Sequence, residues 1–145
     1  IKLMENFNSP LLRQNLAEFW RAWHISLSGW ARDYIYFPVL GKYRSTSLAL
    51  IATMMMIGAW HSPAPGWLLW GLHHGVGLVL LSNYHRWAEG RPAVQALRNT
   101  AAWRFFGMLA TWWYVAIGYG LTFVPYDVIT SLTIYGRIVT LGLWN

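Results

Sequence analysis

Two histidines lie fifty residues apart, each inside a tryptophan-rich apolar stretch. His24 falls in Phe19-Trp20-Arg21-Ala22-Trp23-His24-Ile25-Ser26-Leu27-Ser28-Gly29-Trp30, and His74 in Trp67-Leu68-Leu69-Trp70-Gly71-Leu72-His73-His74-Gly75. Imidazole titrates near neutral pH, so it can take a proton and return it under physiological conditions. A titratable ring in hydrocarbon-like surroundings costs free energy, which makes it a functional candidate by default. The chemistry in view is general-base catalysis, worth about 10²–10⁴ in rate. A packing role accounts for His74 as well as catalysis does on residue type alone, and for His24 on its own it accounts better.

On a helix, His74 shares a face with Trp70, Gly77 and Leu81. His73 points about 100° away, towards Leu69 and Leu80, where orienting a neighbour or packing is its expected role. Gly71 and Gly75 form a Gly-xxx-Gly face that lets another helix approach closely. His61 precedes Ser62-Pro63 and is placed to bond the last carbonyls of a helix, and His85 beside Arg86 and Trp87 reads as interfacial. Arg32 and Asp33 read as a structural ion pair. No His-x₃-His or Glu-x₂-His spacing suits a metal, and no Gly-x-Ser-x-Gly elbow or phosphate-cradling loop occurs.

The elements that must position these rings are apolar and short. Residues 9–32 read as one amphipathic helix, with Ser9 as N-cap and Pro10 at its first position. Leu12, Leu16, Phe19, Trp20, Trp23, Leu27 and Trp30 form its apolar stripe, with His24 on the same side. Pro38 is expected to break any helix, and Gly41-Lys42-Tyr43-Arg44 to form a basic turn. Residues 47–61 are an apolar run too short to span about 30 Å of hydrocarbon upright. Ser62-Pro63-Ala64-Pro65-Gly66 is a breaker, and 67–82 is the second apolar run. Residues 83–104 are polar and arginine-bearing, 105–124 make the best full-length span, and 128–144 are a last apolar run.

Composition points to lipid. The chain is 56% hydrophobic and 11% charged, against about 25% charged in a typical soluble domain. Eleven tryptophans and eight tyrosines suit the membrane–water interface. Mean hydropathy is only mildly positive, so part of the chain must lie at the interface or line a polar cavity. The net charge of +6 sits beside apolar runs, which reads as orientation and contact with anionic headgroups rather than nucleic-acid binding. Lys42, Arg44 and the arginines of 83–104 then share the cytoplasmic side, and the breaker at 62–66 faces outside. With no cysteine, thiolate catalysis and Cys-ligated metals are excluded. The expected fold is all-α: a polytopic membrane protein with interfacial or re-entrant amphipathic helices and three to four membrane-embedded ones.

Three blocks in order carry a resemblance. Asn6-Phe7-Asn8-Ser9-Pro10, then Glu18 through Trp30, then Arg32-Asp33-Tyr34-Ile35-Tyr36-Phe37-Pro38 resemble the membrane-bound O-acyltransferase family, most of all its bacterial alginate-O-acetylation branch. Gly58-Ala59-Trp60-His61 and Leu69-Trp70-Gly71-Leu72-His73-His74-Gly75 continue the pattern. The resemblance implies that residues 1–145 are the C-terminal catalytic portion of a multi-pass enzyme of the bacterial inner membrane. It maps the catalytic histidine onto His74, and the second active-site position, Asn or His in the family, onto His24. Trp20, Trp23, Trp70, His61 and His73 are then expected to line the substrate cavity, with Arg32, Asp33, Gly71 and Gly75 structural. His73 stands where the family usually has an apolar residue.

The resemblance also implies transfer of an acyl group, acetyl in that branch, from a thioester such as acetyl-CoA to a hydroxyl of an exported polysaccharide. His74 would take the hydroxyl proton, and His24 would orient the donor or stabilise developing charge. No bound cofactor or metal is implied. Membrane lipid, the polysaccharide acceptor and a periplasmic acyltransferase protein are the implied partners. The competing reading is a non-catalytic membrane or transporter subunit whose histidines serve packing or proton relay. A polar tunnel shared by His24 and His74 would favour the enzyme.

Overall fold

The computed structural model describes residues 4–142, so the last residues of the apolar run expected over 128–144 lie outside it. All regular elements among the described residues are helical: α1 (Leu16–Ala22), α2 (Ile25–Ala31), α3 (Phe37–Tyr43), α4 (Thr46–His61), α5 (Pro65–Ala88), α6 (Pro92–Arg98), α7 (Ala101–Tyr119) and α8 (Val128–Val139). A 3₁₀ turn at Pro10–Leu12 precedes α1, and a π turn at Arg32–Tyr36 joins α2 to α3.

The single amphipathic helix expected over 9–32 is in fact broken twice. Ser9 makes no side-chain cap and sits in the left-handed region at φ 46°, while Pro10 does open a short 3₁₀ turn. Asn15 is the true N-cap of α1, accepting from the Glu18 amide at 3.0 Å while Glu18 reaches back to Asn15 and Gln14. The second break is at Trp23, extended, and His24, left-handed at φ 44°. Asn6 stitches it. Its carbonyl accepts from Ile25 N and its side-chain oxygen from Ser26 N, each at 3.0 Å. Phe7 pairs antiparallel with Trp23, and the Asn8 amide donates to the Ala22 carbonyl. His24 is therefore the residue before α2, not one step of an apolar stripe, and Asn6 does the capping that His24 cannot.

Pro38 does not end its helix. It lies in the first turn of α3, directly after the π turn, whose Phe37 N–H bonds to the Arg32 carbonyl five residues back. Widening that turn removes the clash a proline ring makes with the carbonyl four residues upstream, and Pro38 has no N–H to place. Residues 41–43, expected as a basic turn, complete α3, and only Arg44 turns the chain, at φ 53°.

The centre of the fold is α4 laid along α5. α4 is capped by Ser45, whose side chain accepts from Leu48 N at 3.2 Å. The two backbones touch at three glycines. A Cβ on Gly71 would lie 2.5 Å from the Met54 carbonyl oxygen, one on Gly75 2.9 Å from Ile51 Cα, and one on Gly58 would overlap the Trp67 carbonyl. The core of Leu16, Phe19, Trp20, Met54, Ile57, Trp70, Leu78 and Leu121 sits around this pair. At the outer end, the Gly66 amide donates to the Pro125 carbonyl at 2.8 Å, tying the start of α5 to the loop before α8.

Among the described residues no helix is long and apolar enough to cross a membrane, which corrects the full-length span expected over 105–124. α7 begins at Ala101, inside the segment read as polar, and ends at Tyr119. α5 is 24 residues long, but it carries glycines, three histidines and a polar stretch from Ser82-Asn83 onward.

Two substitutions test these contacts. Asn6→Ala removes the side-chain acceptor for Ser26 N, and unfolding of the intact protein in detergent should come about 1 kcal/mol more easily. Gly71→Ala drives a methyl into the α4 backbone and should cost about 1–3 kcal/mol or more by the same measurement.

Candidate active site

α5 presents Trp70, His74 and Leu78 as one buried row at helical spacing, turned from the α4 seam towards α1. Trp20 of α1 closes on this row. The rings of Trp20, Trp70 and His74 touch one another in pairs, with centroids 5.7 Å apart for Trp20–Trp70, 5.1 Å for Trp20–His74 and 4.6 Å for Trp70–His74. Tyr114 of α7 adds a fourth wall, 5.9 Å from the His74 ring. His74 is fully buried, and neither ring nitrogen has a hydrogen-bond partner among the described residues.

Its neighbour differs in kind. His73 Nε2 lies 3.0 Å from the Tyr114 carbonyl and Nδ1 lies 3.2 Å from the Tyr135 hydroxyl. A carbonyl only accepts, so Nε2 carries the proton and, in the neutral ring, Nδ1 accepts from Tyr135. The Tyr114 hydroxyl donates to the His73 carbonyl at 2.5 Å, and the two rings stack at 4.0 Å. Both nitrogens of His73 are committed to holding α7 and α8 on α5. Those of His74 have no partner among the described residues. The adjacent pair therefore separates into a strut and a candidate base, an assignment that residue type alone left open.

Gly118 of α7 borders the free side of His74. A Cβ there would come 3.1 Å from His74 Nε2 and 3.0 Å from His73 Cδ2. Glycine is what allows α7 to pass this close to both rings.

His24 lies further out. Its ring stacks on Phe7 at 6.3 Å and meets Trp60 edge-on at 5.8 Å. Trp60 meets His61 at 5.0 Å, His61 meets Trp70 at 5.7 Å, and Trp70 reaches His74. His24 and His74 are thus the ends of one continuous row of rings without touching each other. His61 is sandwiched on Trp67 at 4.5 Å rather than bonded to helix-end carbonyls. Trp23 stacks on Phe19 and packs against Phe7, holding the turn that carries His24. Arg32 and Asp33 pair at 2.8 Å, but both are more than half exposed, so the pair is local and adds little to stability. Gly71 and Gly75 serve the α4 seam.

A cavity of about 820 Å³ opens on the other side of Tyr114, towards the arginine-rich end of α5. Gln14, Glu18, Tyr84, His85, Arg98 and Tyr114 are among its lining residues, and neither His24 nor His74 is. It is not the tunnel shared by both histidines that the sequence suggested. Tyr114 is the wall between it and the His74 chamber. Arg98 donates to His85 Nε2 at 3.2 Å. Burial, and then the Arg98 guanidinium, lower the His85 pKa below the ordinary imidazole value. No cluster of three or more His, Asp or Glu among the described residues could hold a metal.

Sequence reasoning missed Asn6 as a cap, and Tyr114, Tyr135 and Gly118 as the surroundings of the histidine pair. Tyr114 sits inside the aromatic run Trp112-Trp113-Tyr114, where spacing gives no reason to choose it.

The described residues thus form an all-helical unit that keeps a partnerless imidazole among aromatic rings. Comparison with known proteins makes the class specific: residues 3–126 match MBOAT, the membrane-bound O-acyltransferase family. The chain belongs to that family. It is 34% identical to the probable alginate O-acetylase AlgI of Pseudomonas aeruginosa, over 99% of this chain and 26% of that protein. It is 40% identical to a peptidoglycan O-acetyltransferase of Helicobacter pylori over 58% of this chain and 16% of the relative. With a teichoic acid D-alanyltransferase of Bacillus subtilis it shares 27% identity over 82% of this chain and 32% of the relative. The chain thus spans about a third or less of the length of these relatives.

The two histidines should part company in stability. His73→Leu strands the Tyr135 hydroxyl and removes a bond to Tyr114, so the intact protein should lose about 1–3 kcal/mol. His74→Leu removes two unpartnered buried nitrogens and should leave the melting temperature unchanged or higher. Equal losses for both would contradict the division of roles.

Proposed function

We propose that this chain is the catalytic portion of a membrane-bound O-acyltransferase. It moves an acyl group, acetyl by the likeness to the alginate and peptidoglycan O-acetyltransferases, from a thioester to a hydroxyl of an exported polysaccharide. The observation that carries this reading is His74, fully buried with both nitrogens free at the centre of the aromatic chamber. A neutral imidazole there is a competent general base.

In the proposed reaction His74 removes the proton of the acceptor hydroxyl as that oxygen attacks the thioester carbonyl. The thiolate then leaves and takes the proton back from the imidazolium. His24 is the second active-site residue, at the far end of the ring row, where it orients substrate. The exposed Trp60 beside it offers a flat face on which a sugar ring can lie. The acyl donor, such as acetyl-CoA, approaches from the arginine-rich side and the cavity behind Tyr114. The whole protein works in the bacterial inner membrane, in contact with lipid and with a periplasmic acyltransferase partner.

His74→Ala in the intact protein should abolish acylation of the cell's exported polysaccharide, read as ester-linked acyl groups on the secreted material, with unchanged amounts of protein in the membrane. Wild-type acylation by that variant would sink the assignment.

A further inference from the structure

Three mutually touching rings carry four buried nitrogens without a partner among the described residues. Trp20 Nε1, Trp70 Nε1 and both nitrogens of His74 have no hydrogen-bond partner among the described residues. Relative exposure is 9% for Trp20, 3% for Trp70 and 0% for His74, so bulk water does not stand in. Leaving one buried polar group unmade costs about 1–3 kcal/mol, and native folds keep few of them. Here four of them belong to three rings that pack against one another in pairs.

The chemistry of the two indoles is one-sided. An indole N–H donates and cannot accept. It can be satisfied only by an acceptor, and better by one that gains negative charge. The edge-to-face packing of Trp20 and Trp70 on His74 explains why the rings are there, but phenylalanine would pack as well without two buried donors.

We infer that the indole N–H groups of Trp20 and Trp70 hold the acyl carbonyl oxygen as it becomes an oxyanion beside His74. The inference rests on the acyl-transfer reading above. As the acceptor oxygen bonds to the carbonyl carbon, its proton passes to His74 and the carbonyl π pair moves onto the carbonyl oxygen, where the two N–H groups receive it. When the tetrahedral adduct collapses, that pair reforms the carbonyl, the carbon–sulfur bond breaks, and the thiolate recovers the proton from the imidazolium. Donors held by packed rings shielded from bulk water need little reorganisation as charge appears, which is where such donors act most strongly. His24, whose ring touches Phe7 and Trp60 and not His74, is left to position substrate.

The test uses the intact protein in its native membranes with acetyl-CoA as probe, reading free thiol release above membranes that lack the protein. Trp20→Phe and Trp70→Phe remove one donor each. Benzothienylalanine at either position keeps the shape of the indole and replaces N–H by sulfur. Each single change should lower kcat about 10²–10³-fold with KM little changed, at an unaltered melting temperature for the benzothienyl forms. Benzothienyl forms that turn over at the wild-type kcat overturn the inference. So does a loss of rate that only tracks the amount of folded protein. A His74→Gln protein as active as wild type, or a wild type that releases no thiol, overturns the acyl-transfer reading itself and the inference with it.

Discussion

Backbone contact between α4 and α5 is the constraint on which the rest of the structure depends. Side chains at Gly58, Gly71 and Gly75 would hold the two helices apart, and their absence lets the backbones meet along a seam. Once that seam fixes the rotation of α5, its remaining faces have one role each. Trp70, His74 and Leu78 turn to α1. His73 and Gly77 turn to α7, where the Tyr114 ring lies directly against Gly77. A helical rotation of about 100° between adjacent residues is enough to give His73 and His74 opposite fates. One becomes a bonded strut and the other a free ring.

The second constraint is the kinked entry at Trp23-His24. A continuous helix through this point would carry α2 on along the line of α1 and leave His24 beside Trp20. The break instead swings His24 out to Trp60 and Phe7, so that a row of rings, rather than one contact, joins it to His74. A left-handed φ of 44° is uncommon outside glycine, and histidine and asparagine are among the residues enriched there. These are the two residues that the family resemblance allows at this position. The backbone conformation thus offers a reason for that choice that is independent of what the side chain does in the reaction.

Much of this was legible in the sequence, and the failures have physical causes. α4 could be read because its apolar run over 47–61 is ended by Ser62-Pro63. The Gly71/Gly75 face and the burial of Trp70 with His74 followed from helical spacing. The break at 23–24 was hidden because Leu16, Phe19, Trp20, Trp23 and Leu27, apart from the adjacent pair Phe19-Trp20, keep stepping by threes and fours straight through it. The signal lay in Asn6, twenty residues before the amide it caps. Pro38 misled because a π turn upstream absorbed the clash. The roles of His73 and His74 could not be separated locally, since the partners that decide them are 41 and 62 residues further along. The span expected over 105–124 failed because an apolar count does not register where a helix starts and stops.

The energetics of the chamber fit this division of roles. Folding alone would favour apolar rings of the same shape in place of Trp20, Trp70 and His74, because their buried nitrogens lose hydration and regain nothing within the described structure. The surroundings offset that cost. His73 ties α5 to α7 and α8, the glycine seam ties α5 to α4, and Phe19 and Leu16 anchor α1 beside them. The bonded contacts therefore lie in the shell around His74, while four of the six buried side-chain atoms without a partner among the described residues, all but Arg13 Nε and the Tyr84 hydroxyl, lie on Trp20, Trp70 and His74. A packing histidine would show the opposite pattern, with its own nitrogens satisfied, as those of His73 are. In one adjacent pair the chain contains both cases, and the contrast between them is what supports the proposed role of His74 as the base.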